Sequence, residues 1–177
     1  MTAPATTPSL QQLGLGDFDN EMQSTRRILE RVPDEHWNWK PHPKSASLGD
    51  LASHVAMVIG LQNAVVRRDE LDILARDGAL PAKVTSRAEL LERFDATVAS
   101  VRESIAALTD EGAWQRQWTF RRGDHVIFAM PRVAAFRTLG INHLVHHRGQ
   151  LSVYLRLLDV PVPGMYGPSA DEPLGAR

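Results

Sequence analysis

The sequence predicts an all-α protein built as a four-helix bundle. Four segments repeat apolar residues at the three-to-four spacing that lines one face of a helix, and no other segment carries a strong strand signal. A length of 177 residues suits one domain with its own apolar core. Hydrophobic residues at 43% and charged residues at 23% indicate neither disorder nor a membrane protein.

The N-terminal residues 1–9 are small, polar and proline-bearing, which predicts a disordered tail ahead of a single domain over 10–177. This start lacks the basic residues and apolar run of a secretory signal, and no window approaches about 18 uninterrupted apolar residues. We therefore expect a cytoplasmic protein without a membrane partner. The net charge of -1 supplies no positive field to attract phosphates, so we do not expect nucleic acid as a partner.

The first predicted helix carries its apolar face from Leu15 onward and stops at Pro33. A proline-rich crossing follows, and it contains Trp37 and Trp39. Large aromatic side chains dominate burial in small domains. We expect the two tryptophans to anchor this crossing in the core.

Two capping boxes mark the next two helices. Ser47 with Asp50 predicts a second helix over 48–68, and its apolar residues then repeat at helical spacing. Ser86 with Glu89 starts the third helix, which has the clearest apolar stripe of the four.

A small hairpin is predicted between the third and fourth helices, because apolar residues alternate from Trp114 to Met130 around the sequence RRGD. Pro131 suits the first position of a helix, and the next proline is Pro161. The fourth helix is therefore predicted to span about 29 residues, or roughly 43 Å.

The main chemical signal is INHLVHHRGQL, residues 141–151, which holds three of the seven histidines. At about 100° per residue, His143 and His147 lie about 40° apart and converge in front of the helix, on a face expected to look into the bundle. His146 lies about 60° from His143 on the other side, so His143 and His146 are an alternative pair of ligands. His54, on the apolar face of the second helix, offers a third imidazole.

A lone histidine on an apolar face is usually neutral and satisfied by one hydrogen bond, and that interpretation suits His54 taken alone. Burying two imidazoles side by side carries two desolvation costs that a shared metal would offset. Three neutral imidazoles suit zinc or nickel, with iron or manganese as further options, and leave positions open for water or substrate. The other histidines, His36, His42 and His125, show no paired spacing and are interpreted as surface or packing residues.

Four motifs occur in order: WKPHPKS at 39–45, LASHVA around His54, HLVHHRGQ at 143–150, and VPGMYGPSADE at 162–172. From about residue 10 to 172, the chain resembles the DinB/YfiT-like superfamily. The resemblance implies a four-helix bundle with up-down-down-up topology, usually a homodimer, that holds a divalent metal through His54, His143 and His147. In the family pattern the ligand directly precedes Arg-Gly-Gln, which selects His147 over His146.

The resemblance also implies a metal-dependent S-transferase that adds a low-molecular-weight thiol, such as bacillithiol, mycothiol or glutathione, to a small electrophile in detoxification or stress. The alternatives are a metal-dependent hydrolase and a non-catalytic metal-binding helical bundle. The chain has no cysteine, so any thiol must come from a substrate. Catalytic residues stay unassigned; Gln150 is expected to orient a ligand or substrate, and Arg148 to bind a carboxylate of the protein.

Overall fold

The fold combines long helices with a small sheet. The computed structural model describes residues 9–75 and 83–173. The helices are α1 (Leu10–Leu29), α2 (Leu48–Val58), α3 (Leu61–Arg67), α4 (Arg87–Ala107), α5 (Glu111–Gln115), α6 (Arg132–Ala135) and α7 (His143–Leu157). The strands are β1 (Glu70–Asp72), β2 (Gln117–Arg122) and β3 (His125–Pro131). A π-helical stretch at Phe136–Asn142, called the π segment below, connects α6 to α7.

The prediction of an all-α four-helix bundle with up-down-down-up topology is wrong, because a three-stranded mixed sheet is part of the fold. The predicted hairpin is confirmed: β2 and β3 pair antiparallel across a turn at Gly123, whose φ of 57° suits glycine. Strand β1 was not predicted; it pairs parallel with β2 and places Glu70 opposite Thr119. Three residues are too few for an alternating pattern, and the partner strand lies far along the chain.

The first and third predicted helices form as α1 and α4. Ser9 caps α1, because its Oγ accepts a hydrogen bond from the backbone N–H of Gln12 at 3.1 Å, so the helix begins before Leu15. The remainder of the predicted tail, residues 1–8, lies outside the described part of the chain. Ser86 caps α4 in the same way through the N–H of Glu89.

The second and fourth predicted helices form with interruptions. The predicted helix over 48–68 is divided into α2 and α3 at Ile59 and Gly60. The fourth runs through α6, the π segment and α7, with helical backbone angles at both junctions. Within the described ranges, no helix has the length and apolar character needed to cross a lipid bilayer.

The core lies between α1, α2, α4 and α7, and the sheet packs near α3 and α6. Trp37, Trp114 and Trp118 are buried, whereas Trp39 is only partly buried, so the expected core anchor of the crossing is confirmed for Trp37. Trp37 lies directly on Gly49: a Cβ at this glycine would stand 2.2 Å from the indole Nε1. The proline-rich crossing is therefore fixed against the start of α2.

One face of α7 is buried, and it differs from the predicted face. The buried residues are Leu144, Arg148, Leu151 and Leu155. His143 and His147 lie beside this face and are only partly buried. The expectation that both histidines point into the interior is therefore wrong; they face a groove between α7 and α2.

Arg132, at the start of α6, is a buried cation that connects α6 to the C-terminal ends of α3 and α5. Its guanidinium donates to the backbone carbonyls of Val65 at 2.9 Å, Ala113 at 2.9 Å and Arg68 at 3.1 Å, and it pairs with Asp69. Because α3 ends here, its last carbonyls have no partner within the helix, and Arg132 satisfies them. The side chain is 5% exposed.

Replacing Arg132 with Met should lower the free energy of unfolding by about 3 kcal/mol, because it leaves buried carbonyls without donors. The matched control is Arg102→Met, which breaks an exposed pair with Asp19 and should cost less than about 1 kcal/mol. Urea denaturation followed by circular dichroism measures both. Equal losses in the two variants would contradict this role for Arg132.

Candidate metal centre

Three imidazoles from two packed helices meet at one point. His54 comes from α2, while His143 and His147 lie one turn apart at the start of α7. The His143 Nε2 lies 3.3 Å from the Nε2 of His54 and 2.9 Å from that of His147. Within the described ranges these residues form a group that could hold a metal ion, with ligand atoms all within 4.8 Å of one another.

The group opens onto a pocket. His54 is exposed, and His143 and His147 are partly buried. The pocket has a volume of about 590 Å³ and is lined by Ser45, Ala46, Asp50, Leu51, His54, His147, Gln150 and Tyr154. A small molecule can therefore reach the imidazoles from solvent.

Two neighbouring acceptors set the orientation of the α7 imidazoles. The His143 ring donates a hydrogen bond to the carbonyl of Leu139. Because its Nε2 faces the other imidazoles, the donor is Nδ1. The Nδ1 of His147 lies 2.8 Å from the Oε1 of Gln150, which accepts a hydrogen bond from it. Since a neutral imidazole carries one N–H, both Nε2 atoms present lone pairs to the centre.

Although His54 is exposed as a residue, desolvation of its ring against α7 lowers its pKa below the ordinary value, and the nearby charges of His147 and His143 lower it further. Burial also lowers the pKa of His143, and His147 adds to the effect. These two rings are therefore neutral near pH 7, and neutral imidazole is the form that binds metals.

A divalent cation fits this set of donors. Two lone pairs 2.9 Å apart repel each other unless a positive charge lies between them. Ligands held about 2.1 Å from zinc in a tetrahedron stand about 3.4 Å apart, close to the 3.3 Å between His54 and His143. The His54–His143 separation therefore matches that of two ligands of one small ion, while the 2.9 Å between His143 and His147 is shorter than this spacing.

His146 lies outside the triad, although helical spacing left it as an alternative to His147. Its Nε2 accepts a hydrogen bond from the Nε2 of Gln150 at 3.2 Å. Gln150 therefore connects two histidines through opposite ends of its amide. The other histidines, His36, His42 and His125, are exposed and away from this group.

Arg148, directly after His147, is fully buried and fixes α7 to α1. Its guanidinium lies 2.6 Å from a carboxylate oxygen of Glu21 and donates to Thr25 Oγ1 at 3.0 Å and to the Tyr166 hydroxyl at 2.8 Å. The prediction that Arg148 binds a carboxylate of the protein is confirmed. Its burial was not expected, because a charged residue on the core face breaks the apolar pattern.

Two pocket residues were missed as site residues. Asp50 was interpreted only as a helix cap, although it lies one turn before His54, a spacing that places both on one helix face. Hydrogen bonds from Ser47 and Lys83 lower the pKa of Asp50. Tyr154 lines the pocket and packs edge-on against Trp39, with ring centroids 5.8 Å apart.

The DinB family model matches residues 11–174. This chain belongs to the DinB family. The resemblance noted in the sequence is confirmed, and the structure adds a likeness at the level of the fold. Family membership and the histidine triad together support a metal-binding site.

Relatives of this DinB family member cover almost all of its length. The uncharacterised protein YrdA of Bacillus subtilis strain 168 is 26% identical over 166 residues, 89% of each chain. A DinB-like protein of Bacillus cereus ATCC 10987 superposes with a TM-score of 0.68 at 23% identity, covering 86% of this chain and 95% of its own. A DinB-like protein of Bacillus subtilis gives 0.65 at 18% identity, covering 84% and 95%. These two likenesses show the shared fold.

Alanine at His54 or His147 should lower zinc affinity at least roughly 100-fold, because each change removes one of three ligands. His146→Ala is the matched control on the same turn of α7, and it should keep affinity close to that of the native protein. Competition titration against a chromophoric chelator, on protein without a histidine tag, measures all four. Loss in the control equal to that in the ligand variants would contradict the assignment.

Gln150→Leu should weaken zinc binding roughly 10- to 100-fold, because His147 Nδ1–H loses its acceptor and the ring is no longer held in one tautomer. Gln150→Glu keeps an acceptor at this position and should bind at least as tightly as the native protein. The same titration compares the pair. If the leucine variant bound with native affinity, Gln150 would have no part in orienting His147.

Proposed function

We propose that this protein is a metal-dependent enzyme that transfers a low-molecular-weight thiol to a small electrophile. The observation that carries the proposal is the convergence of three imidazole nitrogens at the wall of an open pocket. Zinc or nickel is the proposed ion, because imidazole ligands suit both. His54, His143 and His147 are the proposed ligands.

A divalent ion on three neutral ligands keeps its full charge and, when bound, would lower the pKa of a thiol so that a nucleophile is available near pH 7. The chain's own part is to keep the ligand lone pairs in place. Leu139 and Gln150 do this through the Nδ1 hydrogen bonds of His143 and His147. Without a cysteine, the protein has no thiolate of its own to occupy the site.

The pocket suits a small organic substrate. Its volume of about 590 Å³ lies within the range of about 300–1,000 Å³ typical of small-molecule sites. Leu51, Ala46 and Tyr154 supply apolar surface for the body of the electrophile. Gln150 and Ser45 supply polar groups at the edge.

The environment of Asp50 favours thiol transfer over hydrolysis. A base near the attacking water would assist a hydrolase of this type. Among the described residues that line the pocket, Asp50 supplies the carboxylate. This carboxylate accepts a hydrogen bond from Ser47 Oγ at 2.7 Å and forms an ion pair with Lys83 Nζ at 3.1 Å. Its lowered pKa makes it a weak base. A thiol that is already deprotonated needs no such group.

The test is a screen of zinc- and nickel-loaded protein against a panel of electrophiles with bacillithiol, mycothiol or glutathione. We expect loss of thiol with formation of the thioether, detected by mass spectrometry. A chelator or His147→Ala should reduce the rate by about 100-fold or more, because the nucleophile loses its activating charge. His146→Ala should keep the rate within about threefold of native, since it removes no ligand.

Two outcomes would contradict the proposal in different ways. Turnover that is independent of added thiol would identify a hydrolase. Stoichiometric metal without turnover of any thiol and electrophile pair would favour a non-catalytic metal-binding protein.

A further inference from the structure

The π segment lies directly before the first α7 histidine. Residues Phe136–Asn142 form hydrogen bonds with the wider π pattern, and His143 follows at once. Such segments occur frequently at functional sites. If these residues returned to an ordinary α-helix, everything after them would turn about the helix axis by roughly the 100° of one residue. The direction of His143 and His147 therefore depends on the π form.

A buried side chain of α3 presses against this segment. Gln62 is 0% exposed and lies against Gly140. A Cβ at Gly140 would stand 2.3 Å from the Nε2 and 2.4 Å from the Cδ and Cγ of Gln62. Only a glycine leaves room here for the carboxamide to contact the helix backbone.

The carboxamide of Gln62 is an unusual group to bury at this place. Neither its Oε1 nor its Nε2 has a hydrogen-bond partner among the described residues. A buried amide without partners lowers stability, and an apolar side chain of the same size would avoid that cost. Because neither amide atom is hydrogen-bonded among the described residues, Gln62 acts on the π segment through its shape, with its flat amide end against Gly140.

We propose that Gln62 is a positioning residue for the metal centre. Its carboxamide, seated on Gly140, holds the π segment in its wide form and so points His143 and His147 at His54. The inference rests on the metal-dependent function proposed above. It assigns a role to a residue in α3 that touches none of the three imidazoles in the described contacts.

Three variants test this role, with cobalt as the probe because its visible absorption reports ligand geometry. Gln62→Met keeps the length of the side chain but replaces the flat amide end with a thioether of different shape. Gly140→Ala fills the space that the amide occupies. Gly140→Ala with Gln62→Asn withdraws the amide by one methylene group and makes room for the methyl group. Gln115→Met, on an exposed side chain, is the control for the chemical change.

We expect both single variants to bind cobalt at least about tenfold more weakly than native, with an altered spectrum, because neither keeps the flat amide end of Gln62 seated against residue 140. Metal-free Gln62→Met should melt at or above the native temperature, because the variant removes a buried amide without partners. Weaker metal binding by a protein of undiminished stability then indicates positioning of the ligands and not general unfolding. The double variant should regain most of the affinity, and the control should match native. Native affinity and spectrum in both single variants, or failure of the double variant to recover, would overturn the proposal.

Crystal structures of the metal-free native protein and of Gly140→Ala test the inference separately from the proposed function. In the native protein, the Nε2 separations from His143 should remain 3.3 Å to His54 and 2.9 Å to His147. In the variant, the separation from His54 should grow by about 2 Å or more as α7 turns. If native protein bound no metal but the variant showed this displacement, the proposed function would fail and the positioning role would stand. Unchanged separations would overturn the positioning role whatever the metal result.

Discussion

Two imidazoles of α7 face each other with their Nε2 atoms 2.9 Å apart, and the contacts around them serve to maintain that approach. The carbonyl of Leu139 and the amide oxygen of Gln150 accept hydrogen bonds from the Nδ1–H groups of His143 and His147, so neither ring can turn its N–H inward without losing a partner. Burial disfavours the protonated form of His143. An arrangement that is repulsive by itself becomes favourable around a cation, which is the physical basis of the metal assignment.

The fold holds these helices by buried polar contacts as well as by apolar packing. Arg148, one residue after His147, reaches Glu21 of α1 and the hydroxyl of Tyr166 near the C-terminus. Arg132 closes the end of α3 before the same helical run begins. Charged side chains in such positions are costly unless every group is paired, so each specifies one register of the helices. The histidines therefore lie on a helix that is fixed at several points.

The sequence was sufficient to identify the family and the three convergent histidines, because their spacing and the flanking motifs are local features. It was insufficient for the orientation of α7. Helical periodicity placed His143 and His147 on the core face, whereas Leu144 and Leu151 occupy it together with Arg148. Because Arg148 lies on the buried face of α7, that face is less apolar in sequence than a core face is expected to be, and it was not recognised. The π segment adds to the error, since it shifts the helical phase that a constant 100° step assumes.

Strand β1 could not be predicted from the sequence, for a different reason. The hairpin of β2 and β3 is a local structure with a glycine turn, and its alternation predicts it. The parallel strand β1 is short, and its pairing with β2 depends on residues far along the chain. Asp50 was overlooked because its role as a cap explained its presence, although its spacing from His54 placed it in the pocket. A residue with one evident structural role can still form part of a site.

The most direct test of the metal centre is anomalous diffraction from crystals of the zinc-loaded protein, with data collected on both sides of the zinc absorption edge. A single peak about 2.1 Å from the Nε2 of His54, His143 and His147 is the predicted result. Three ordered imidazoles without a peak between them, or zinc held elsewhere on the chain, would contradict the assignment.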